Sequence, residues 1–98
     1  MIREIEIPES VRKQTRKVPR HIVVKFLGWV QAVRESGLEE ARRNPGFHDE
    51  PVKGTAGQRS IRLSRGYRAY YRIHKRQDGT MTVEFVRVEG VDKHEYGK

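Results

Sequence analysis

The chain has 98 residues, and its 21 lysines and arginines exceed its 13 aspartates and glutamates, which gives a formal net charge of +8 at pH 7. This length predicts a single domain, residues 1–98, with a modest core, and so large a positive excess favours a polyanionic partner, nucleic acid above all. The absence of cysteine excludes a disulfide framework and a thiolate metal site, and no stretch approaches the roughly 18 apolar residues of a membrane span, so we expect a cytoplasmic protein without a membrane partner.

The N-terminal half predicts one strand followed by helices. Apolar and acidic residues alternate from Ile2 to Ile7, the pattern of a first strand. Glu9 to Val18 has only a thin apolar stripe among cations and predicts a weak, very basic helix. From Arg20 to Ser36 apolar residues recur at three- and four-residue steps, which predicts a helix packed on a sheet, with Gly37 as its C-cap. Leu38 to Arg43 is predicted to add one further turn.

The C-terminal half predicts the sheet. Asn44 to Gly57 contains repeated proline and glycine, which indicates a loop whose length suggests function or mobility. Arg59 to Ser64 and Tyr67 to Lys75 alternate apolar with polar residues and are predicted to be adjacent strands. After a hairpin turn at Gln77 to Gly79, Thr80 to Glu89 has the apolar content of a more central strand. The predicted fold class is therefore α+β, in the order β-α-α-β-β-β, with a small, twisted, mostly antiparallel sheet and two helices on one face.

Several conspicuous side chains are expected to be structural. Trp29 falls close to the apolar stripe of the long helix and is assigned to the core. The alternation in the second strand of the hairpin turns Tyr71 and Ile73 inward. His21 opens a helix and His74 ends a strand, and both are expected to be structural or solvated.

Two arginines are expected to lie side by side on the face of the sheet that the helices leave open. Arg62 and Arg68 belong to adjacent strands and project to the same side by the alternation just given. Their guanidinium groups would be forked donors for phosphate oxygens. A solvated strand face, with arginines lying over tyrosine rings, accounts for the same pattern.

The closing residues carry groups suited to proton transfer. Imidazole titrates at about pH 6.5, so His94 can accept a 2′-hydroxyl proton or donate one to a leaving 5′-oxygen, although a surface histidine without a task is the ordinary case. Glu95 can serve as a base or balance Lys93, and Lys93 can stabilise the charge that develops on a pentavalent phosphorane.

Three segments together resemble the RelE/HigB toxin superfamily, small bacterial proteins that cut messenger RNA, usually on the ribosome. They are Ser60-Ile61-Arg62-Leu63-Ser64, Gly66-Tyr67-Arg68-Ala69-Tyr70-Tyr71-Arg72-Ile73 and Lys93-His94-Glu95-Tyr96. The order of elements matches along nearly the whole chain. The resemblance implies the fold given above and an endoribonuclease without metal or other cofactor, in which a 2′-hydroxyl attacks the adjacent phosphate.

For the site, the resemblance implies that Arg68 contacts the scissile phosphate and that Arg62 assists it. The tail implies His94 as the acid or base, with Tyr96 stacking on a base or orienting the phosphate, and Lys93 assisting. Ser60 departs from the family, because this position is often basic there.

The resemblance further implies the toxin of a type II toxin–antitoxin pair that inhibits translation. Its partners would be messenger RNA, the ribosome and a cognate antitoxin, expected to be a small DNA-binding protein. Additional contacts to RNA are expected from one set of side chains in the loop and strands and from another on the first helix. They are Lys53, Arg59, Tyr70 and Arg72 in the first set and Arg12, Lys13, Arg16 and Lys17 in the second.

Other functions stay open. A ParE-like relative would share the fold and poison DNA gyrase without being an enzyme, although such proteins generally lack a tail like the one from Lys93 to Tyr96. A basic RNA-binding module and a degenerate toxin that retains only partner binding are further alternatives. His48 lies beside Asp49 and Glu50, but no further residue with metal-ligand spacing accompanies them, so no metal site is expected.

Overall fold

The computed structural model describes residues 1–93 and places helices against one face of a five-stranded sheet. The elements in chain order are β1 (Ile5–Glu6), α1 (Glu9–Thr15), α2 (Arg20–Ser36), α3 (Leu38–Arg43), β2 (Glu50–Pro51), β3 (Arg59–Ser64), β4 (Tyr67–Asp78) and β5 (Met81–Lys93). The strands lie in the order β1-β5-β4-β3-β2, with β1 parallel to β5 and the other neighbours antiparallel. The predicted α+β class is confirmed. Within the described residues, no helix is long and apolar enough to cross a membrane.

Helix α2 forms the main cover of the sheet because its apolar residues fall on one side at helical spacing. Ile22, Phe26, Trp29 and Val33 are each at most 1% exposed. The rings of Trp29 and Tyr71 lie 5.2 Å apart between centroids, so α2 packs directly on β4. Burial of side chains of this size contributes about 2–3 kcal/mol each. The predictions that Trp29 belongs to the core and that Tyr71 faces inward are confirmed.

The boundary between α2 and α3 depends on Gly37, whose φ is 88°. This left-handed backbone conformation is inexpensive only for glycine. The Gly37 N–H donates to the Val33 carbonyl at 2.9 Å and closes α2, while the Leu38 N–H donates to the Ile2 carbonyl at 2.8 Å. The predicted C-cap is confirmed, but the turn that follows it is a separate helix, so the described part of the chain has three helices rather than two.

The apolar side of the sheet lies under the helices. Ile61 of β3, Ala69 and Tyr71 of β4, and Val86 and Val88 of β5 are each at most 1% exposed. Because side chains alternate along a strand, the residues between them point to the opposite side.

A β-bulge in β5 changes this alternation near the end of the described chain. Tyr71 is paired with Val88, but its neighbour Tyr70 is paired with Gly90, so Glu89 is an extra residue in β5. Odd-numbered residues of β5 therefore face away from the helices before the bulge, and even-numbered residues do so after it.

Helix α1 is fixed against the sheet just beyond this bulge. Val11 is the buried residue of this helix, with 1% of its surface exposed. The Gln14 side chain accepts a hydrogen bond from the Val91 N–H at 2.9 Å. This hydrogen bond joins the backbone of β5 to α1.

The structure corrects several predicted boundaries. Strand β1 has two residues instead of six, because within residues 1–93 only Ile5 and Glu6 of this segment are paired with a neighbouring strand, β5. The edge strand β2 lies inside the predicted loop 44–57, and β5 continues to Lys93. Ile73, which was predicted to face the core, is 37% exposed because the distal part of the β4–β5 hairpin extends past the helices.

Replacement of the central tryptophan tests the assignment of the core. Trp29→Ala should lower the free energy of unfolding by about 3–5 kcal/mol, because it leaves a cavity between α2 and β4. Leu27→Ala is the matched control on the same helix, since Leu27 is 52% exposed, and it should cost less than about 0.5 kcal/mol. Urea denaturation followed by far-UV circular dichroism measures both. Similar losses in the two variants would contradict this packing.

Candidate active site on the open face of the sheet

We call the side of the sheet turned away from the helices the open face. It comprises Ser60 and Arg62 of β3, Arg68, Tyr70, Arg72, His74 and Arg76 of β4, and Phe85, Arg87 and Asp92 of β5. The alternation along the strands places these side chains, all polar except Phe85, together because the residues between them are needed for the core.

A cavity of about 290 Å³ opens at the end of the open face where β2, β3 and β4 meet. Its lining consists of Glu50, Pro51, Val52, Lys53, Ser60, Arg68 and Tyr70. The cavity thus brings together three predicted site residues, Arg68, Lys53 and Tyr70. It adds a carboxylate, Glu50, that the sequence analysis did not assign to the site.

Arg68 is a buried cation in the wall of this cavity, with 5% of its surface exposed. Its Nη1 donates a hydrogen bond to the Ser64 carbonyl at 3.2 Å. Arg68 lies opposite Arg62 across the β3–β4 pairing, which confirms that the two arginines share a face. Arg62 is exposed, and none of the ion pairs among residues 1–93 includes it. Two guanidinium groups in this arrangement match the geometry of phosphate oxygens.

The loop that carries Glu50 is attached to the sheet by a buried carboxylate. Asp49, with 1% of its side chain exposed, accepts a hydrogen bond from Arg59 Nε at 2.6 Å. Its other oxygen accepts one from the Tyr71 hydroxyl, also at 2.6 Å, and Arg42 Nε donates to the same hydroxyl at 3.3 Å. Burial, reinforced by the bond to Asp49, raises the pKa of Tyr71 to about 12. Arg59, which we expected to contact RNA, is therefore engaged in holding the loop.

Glu50 could not be recognised from its own sequence neighbourhood, because a two-residue strand has no periodicity. The neighbouring Asp49 is the residue that could have indicated it. Once Asp49 faces the core, its carboxylate must be paired with a hydrogen-bond donor. Because side chains alternate in an extended segment, an inward Asp49 turns Glu50 outward, into the cavity. Strand β2 places Glu50 opposite Ser60, one row from the pair formed by Arg62 and Arg68.

The part of the open face away from the cavity carries cations that are already paired. Arg72 Nη1 lies 2.5 Å from Glu89 Oε1, and Gln58 Nε2 donates to the same oxygen at 2.9 Å. Partial burial by itself raises the pKa of Glu89, but the hydrogen bonds from Arg72 and Gln58 outweigh it and hold that pKa below its ordinary value. Arg72 also donates to the Ala56 carbonyl at 3.1 Å, so this predicted RNA contact fastens the loop as well.

Two further arginines on this part of the face pair with β1 and the residue before it. Arg87 Nε lies 2.7 Å from Glu6 Oε1, and Arg76 is hydrogen-bonded to Glu4. The bond to Arg76 lowers the pKa of Glu4. Two cations at the opposite end of the sheet are in none of the ion pairs among residues 1–93: Lys53, which lines the cavity, and Arg62, which lies across from Arg68.

Lys93 does not line the cavity that Arg68 lines, and its catalytic role stays a prediction. It is paired with Tyr67, whose side chain packs against the core, and the two line a separate cavity of about 230 Å³ together with Lys17, which follows α1. The reason is the bulge at Glu89, which reverses the side on which an odd-numbered residue of β5 projects.

The cations predicted to contact RNA from the first helix do not line the cavity of Arg68, and one of them lines the second cavity. Lys17 lines it, Arg16 lies 3.6 Å from Glu9, and Arg12 donates to the Ile7 carbonyl at 3.1 Å. Lys13 is exposed. Their expected contacts with RNA stay predictions.

His94, Glu95 and Tyr96 lie outside the described residues, so their predicted roles stay predictions. Among residues 1–93, no group of three or more acidic or imidazole side chains is arranged to hold a metal ion.

The fold is shared with a solved structure, the "YoeB/ParE toxin from Agrobacterium tumefaciens". The two structures superimpose with a TM-score of 0.61 at 20% sequence identity, over 94% of this chain and 99% of the other. At that identity the likeness establishes the fold. No family model and no curated protein sequence matches the chain.

Alkaline unfolding tests the buried network around Asp49. The neutral hydroxyl of Tyr71 is favoured in the folded state, so its contribution is complete below the ordinary tyrosine pKa of 10.0 and is lost as the pH rises to about 12. The free energy of unfolding should fall by about 2–3 kcal/mol over that interval from this group alone. Tyr71→Phe should remove this part of the alkaline loss, whereas Tyr70→Phe should retain it. Urea denaturation at a series of pH values provides the measurement, and equal alkaline slopes in both variants would contradict the network.

Proposed function

We propose that this chain is the toxin of a type II toxin–antitoxin pair and an endoribonuclease that cleaves messenger RNA without a metal. Support comes from the fold it shares with a protein named as a YoeB/ParE toxin and from the sequence resemblance to RelE/HigB toxins. The observation that carries the enzymatic part is that a buried guanidinium, Arg68, and a carboxylate, Glu50, line one cavity on the open face.

The proposed reaction uses the cavity as a phosphate site. The Glu50 carboxylate accepts the proton of a 2′-hydroxyl while that oxygen forms a bond to phosphorus and the bond from phosphorus to the 5′-oxygen breaks. A 2′,3′-cyclic phosphate and a 5′-hydroxyl result. The leaving oxygen takes a proton from an acid, the role that the resemblance gives to His94. Arg68 and Arg62 bind the non-bridging oxygens and stabilise the charge of the pentavalent state.

The remaining groups of the cavity are suited to holding RNA. Lys53 adds a positive charge at the rim, and Tyr70 presents a ring on which a base can stack. The paired cations farther along the face leave this end as the attractive one for a phosphate. Lys17 and Lys93 extend positive charge around the edge, toward the α1 cations that are proposed to contact ribosomal RNA.

The proposed partners follow from the small number of catalytic groups in the site. With few catalytic groups, much of the rate must come from correct positioning of the substrate, and a ribosome that holds the messenger RNA can supply it. A cognate antitoxin that covers the open face would block the cavity. The cytoplasm, where translation occurs, is the proposed location.

A second candidate is a gyrase-directed toxin that is not a nuclease. The specific observation in its favour is that the structural neighbour carries both names, YoeB and ParE. The two candidates differ in their target, so RNA cleavage in a translating extract and DNA supercoiling by gyrase separate them.

Arg68→Ala should reduce cleavage of messenger RNA about 100-fold or more, because it removes the main phosphate ligand of the cavity. Arg87→Ala, on the same face but paired with Glu6, is the matched control and should cleave at the wild-type rate. Primer extension in a translating extract maps and quantifies the cuts, and circular dichroism verifies that both variants fold. Growth arrest that survives Arg68→Ala and His94→Ala, together with loss of gyrase supercoiling, would favour the second candidate instead.

Glu50→Gln should reduce the cleavage rate about 100-fold or more while leaving RNA binding nearly unchanged, because only proton transfer is lost. The exposed Glu84 of β5 provides the control Glu84→Gln, which should retain full activity. Rates come from single-turnover cleavage, and binding from an RNA in which 2′-deoxy substitution prevents the attack. A Glu50→Gln variant that cleaves as fast as the wild type would remove Glu50 from the mechanism.

A further inference from the structure

We propose that His48 is a positioning residue for the Glu50 carboxylate, an inference that rests on the proposed function. His48 Nε2 lies 3.3 Å from Glu50 Oε2. An imidazole at this distance holds one oxygen of the carboxylate and leaves Oε1 as the acceptor for the 2′-hydroxyl proton. A carboxylate on a short edge strand has several rotamers, and a fixed one brings the base closer to its productive geometry.

The contact itself places His48 and Glu50 on the same side of the connection. Asp49 between them is held inward by Arg59 and Tyr71, and alternation from Asp49 turns Glu50 outward. His48 does not follow that alternation, because its backbone is left-handed, and the 3.3 Å distance locates its imidazole beside Glu50.

The chain before β2 continues alongside β3 and brings His48 to the phosphate-binding row. The Arg62 N–H donates to the Phe47 carbonyl at 2.7 Å. Ser60, which precedes Arg62 by two residues in β3, is paired with Glu50. His48 thus lies beside Arg62, at the edge of the row that Arg62 forms with Arg68. The side chains of His48 and Glu50 are 48% and 51% exposed, so the pair lies at the rim, where RNA can reach it.

The backbone at His48 is an unusual one that its surroundings impose. Its φ of 48° makes it the one non-glycine residue with a positive φ in the part of the chain that the structure describes. Two consecutive turns hold it there, because the Phe47 N–H donates to the Asn44 carbonyl at 3.1 Å and the His48 N–H to the Pro45 carbonyl at 3.2 Å. Left-handed non-glycine residues concentrate at functional sites, where the strained backbone aims a side chain. Here it directs the imidazole toward Glu50.

His48→Asn is the sharpest test, because asparagine tolerates the left-handed conformation and removes the imidazole. On purified ribosomes carrying a short messenger RNA, kcat should fall about tenfold or more while KM stays within about twofold, since the base is misplaced and the substrate contacts remain. His21→Asn removes an exposed imidazole at the start of α2 and should leave both constants unchanged. His48→Gln carries an amide donor on a longer side chain than asparagine, so it should recover part of the loss in kcat.

A double-mutant cycle shows whether His48 acts through Glu50. In a Glu50→Gln background, His48→Asn should change the single-turnover rate less than twofold, because the group it positions is already gone. An equal loss in both backgrounds would overturn the positioning role while leaving the nuclease proposal intact. Absence of cleavage by the wild-type protein would overturn the nuclease proposal, and this inference with it.

A second measurement does not depend on activity. In a sample labelled with ¹⁵N-histidine, Glu50→Gln should shift the Nε2 resonance of His48 and leave that of His21 in place. An unchanged His48 resonance would show that the two side chains do not interact in solution and would overturn the proposal.

Discussion

The carboxylate of Asp49, buried between the Arg59 guanidinium and the Tyr71 hydroxyl, holds the long connection between the helices and the hairpin against the sheet. An ionised carboxylate in an apolar setting has to be paired and hydrogen-bonded, and this one satisfies both oxygens. Because the segment is extended, the inward position of Asp49 decides that Glu50 faces outward. The cavity lined by Glu50 and Arg68 thus depends on an interaction that takes place beneath it.

The distribution of ion pairs makes the two ends of the open face electrostatically different. Away from the cavity, Arg72, Arg76 and Arg87 are each matched by a nearby glutamate, so their charges attract a distant phosphate only weakly. Lys53 in the cavity lining and Arg62 opposite Arg68 belong to none of the ion pairs within residues 1–93. A protein with a net charge of +8 draws RNA from many directions, but the local pairing decides where a phosphate is held.

One face of the sheet forms the core and the other carries the proposed site, and a bulge in β5 changes which residues face each side. One face packs on α2 through contacts such as that between Trp29 and Tyr71, which leaves polar and charged side chains to the other face. The extra residue Glu89 reverses the alternation of β5, so Lys93 joins the helix side and lines a cavity with Lys17. The turn after α1 and the end of β5 therefore form a second basic area, distinct from the proposed catalytic one.

The sequence by itself determined what depends on local periodicity and charge. The spacing of apolar residues predicted α2 and placed Trp29 in the core, and strict alternation predicted that Arg62 and Arg68 share a face. Only the tertiary structure decided the positions of Glu50, His48 and Lys93. A two-residue edge strand has no period to detect, a buried carboxylate takes its partners from β3 and β4, and a bulge of one residue changes the facing of all that follow. These features depend on which strands meet and in which register, and contacts between distant parts of the chain settle that.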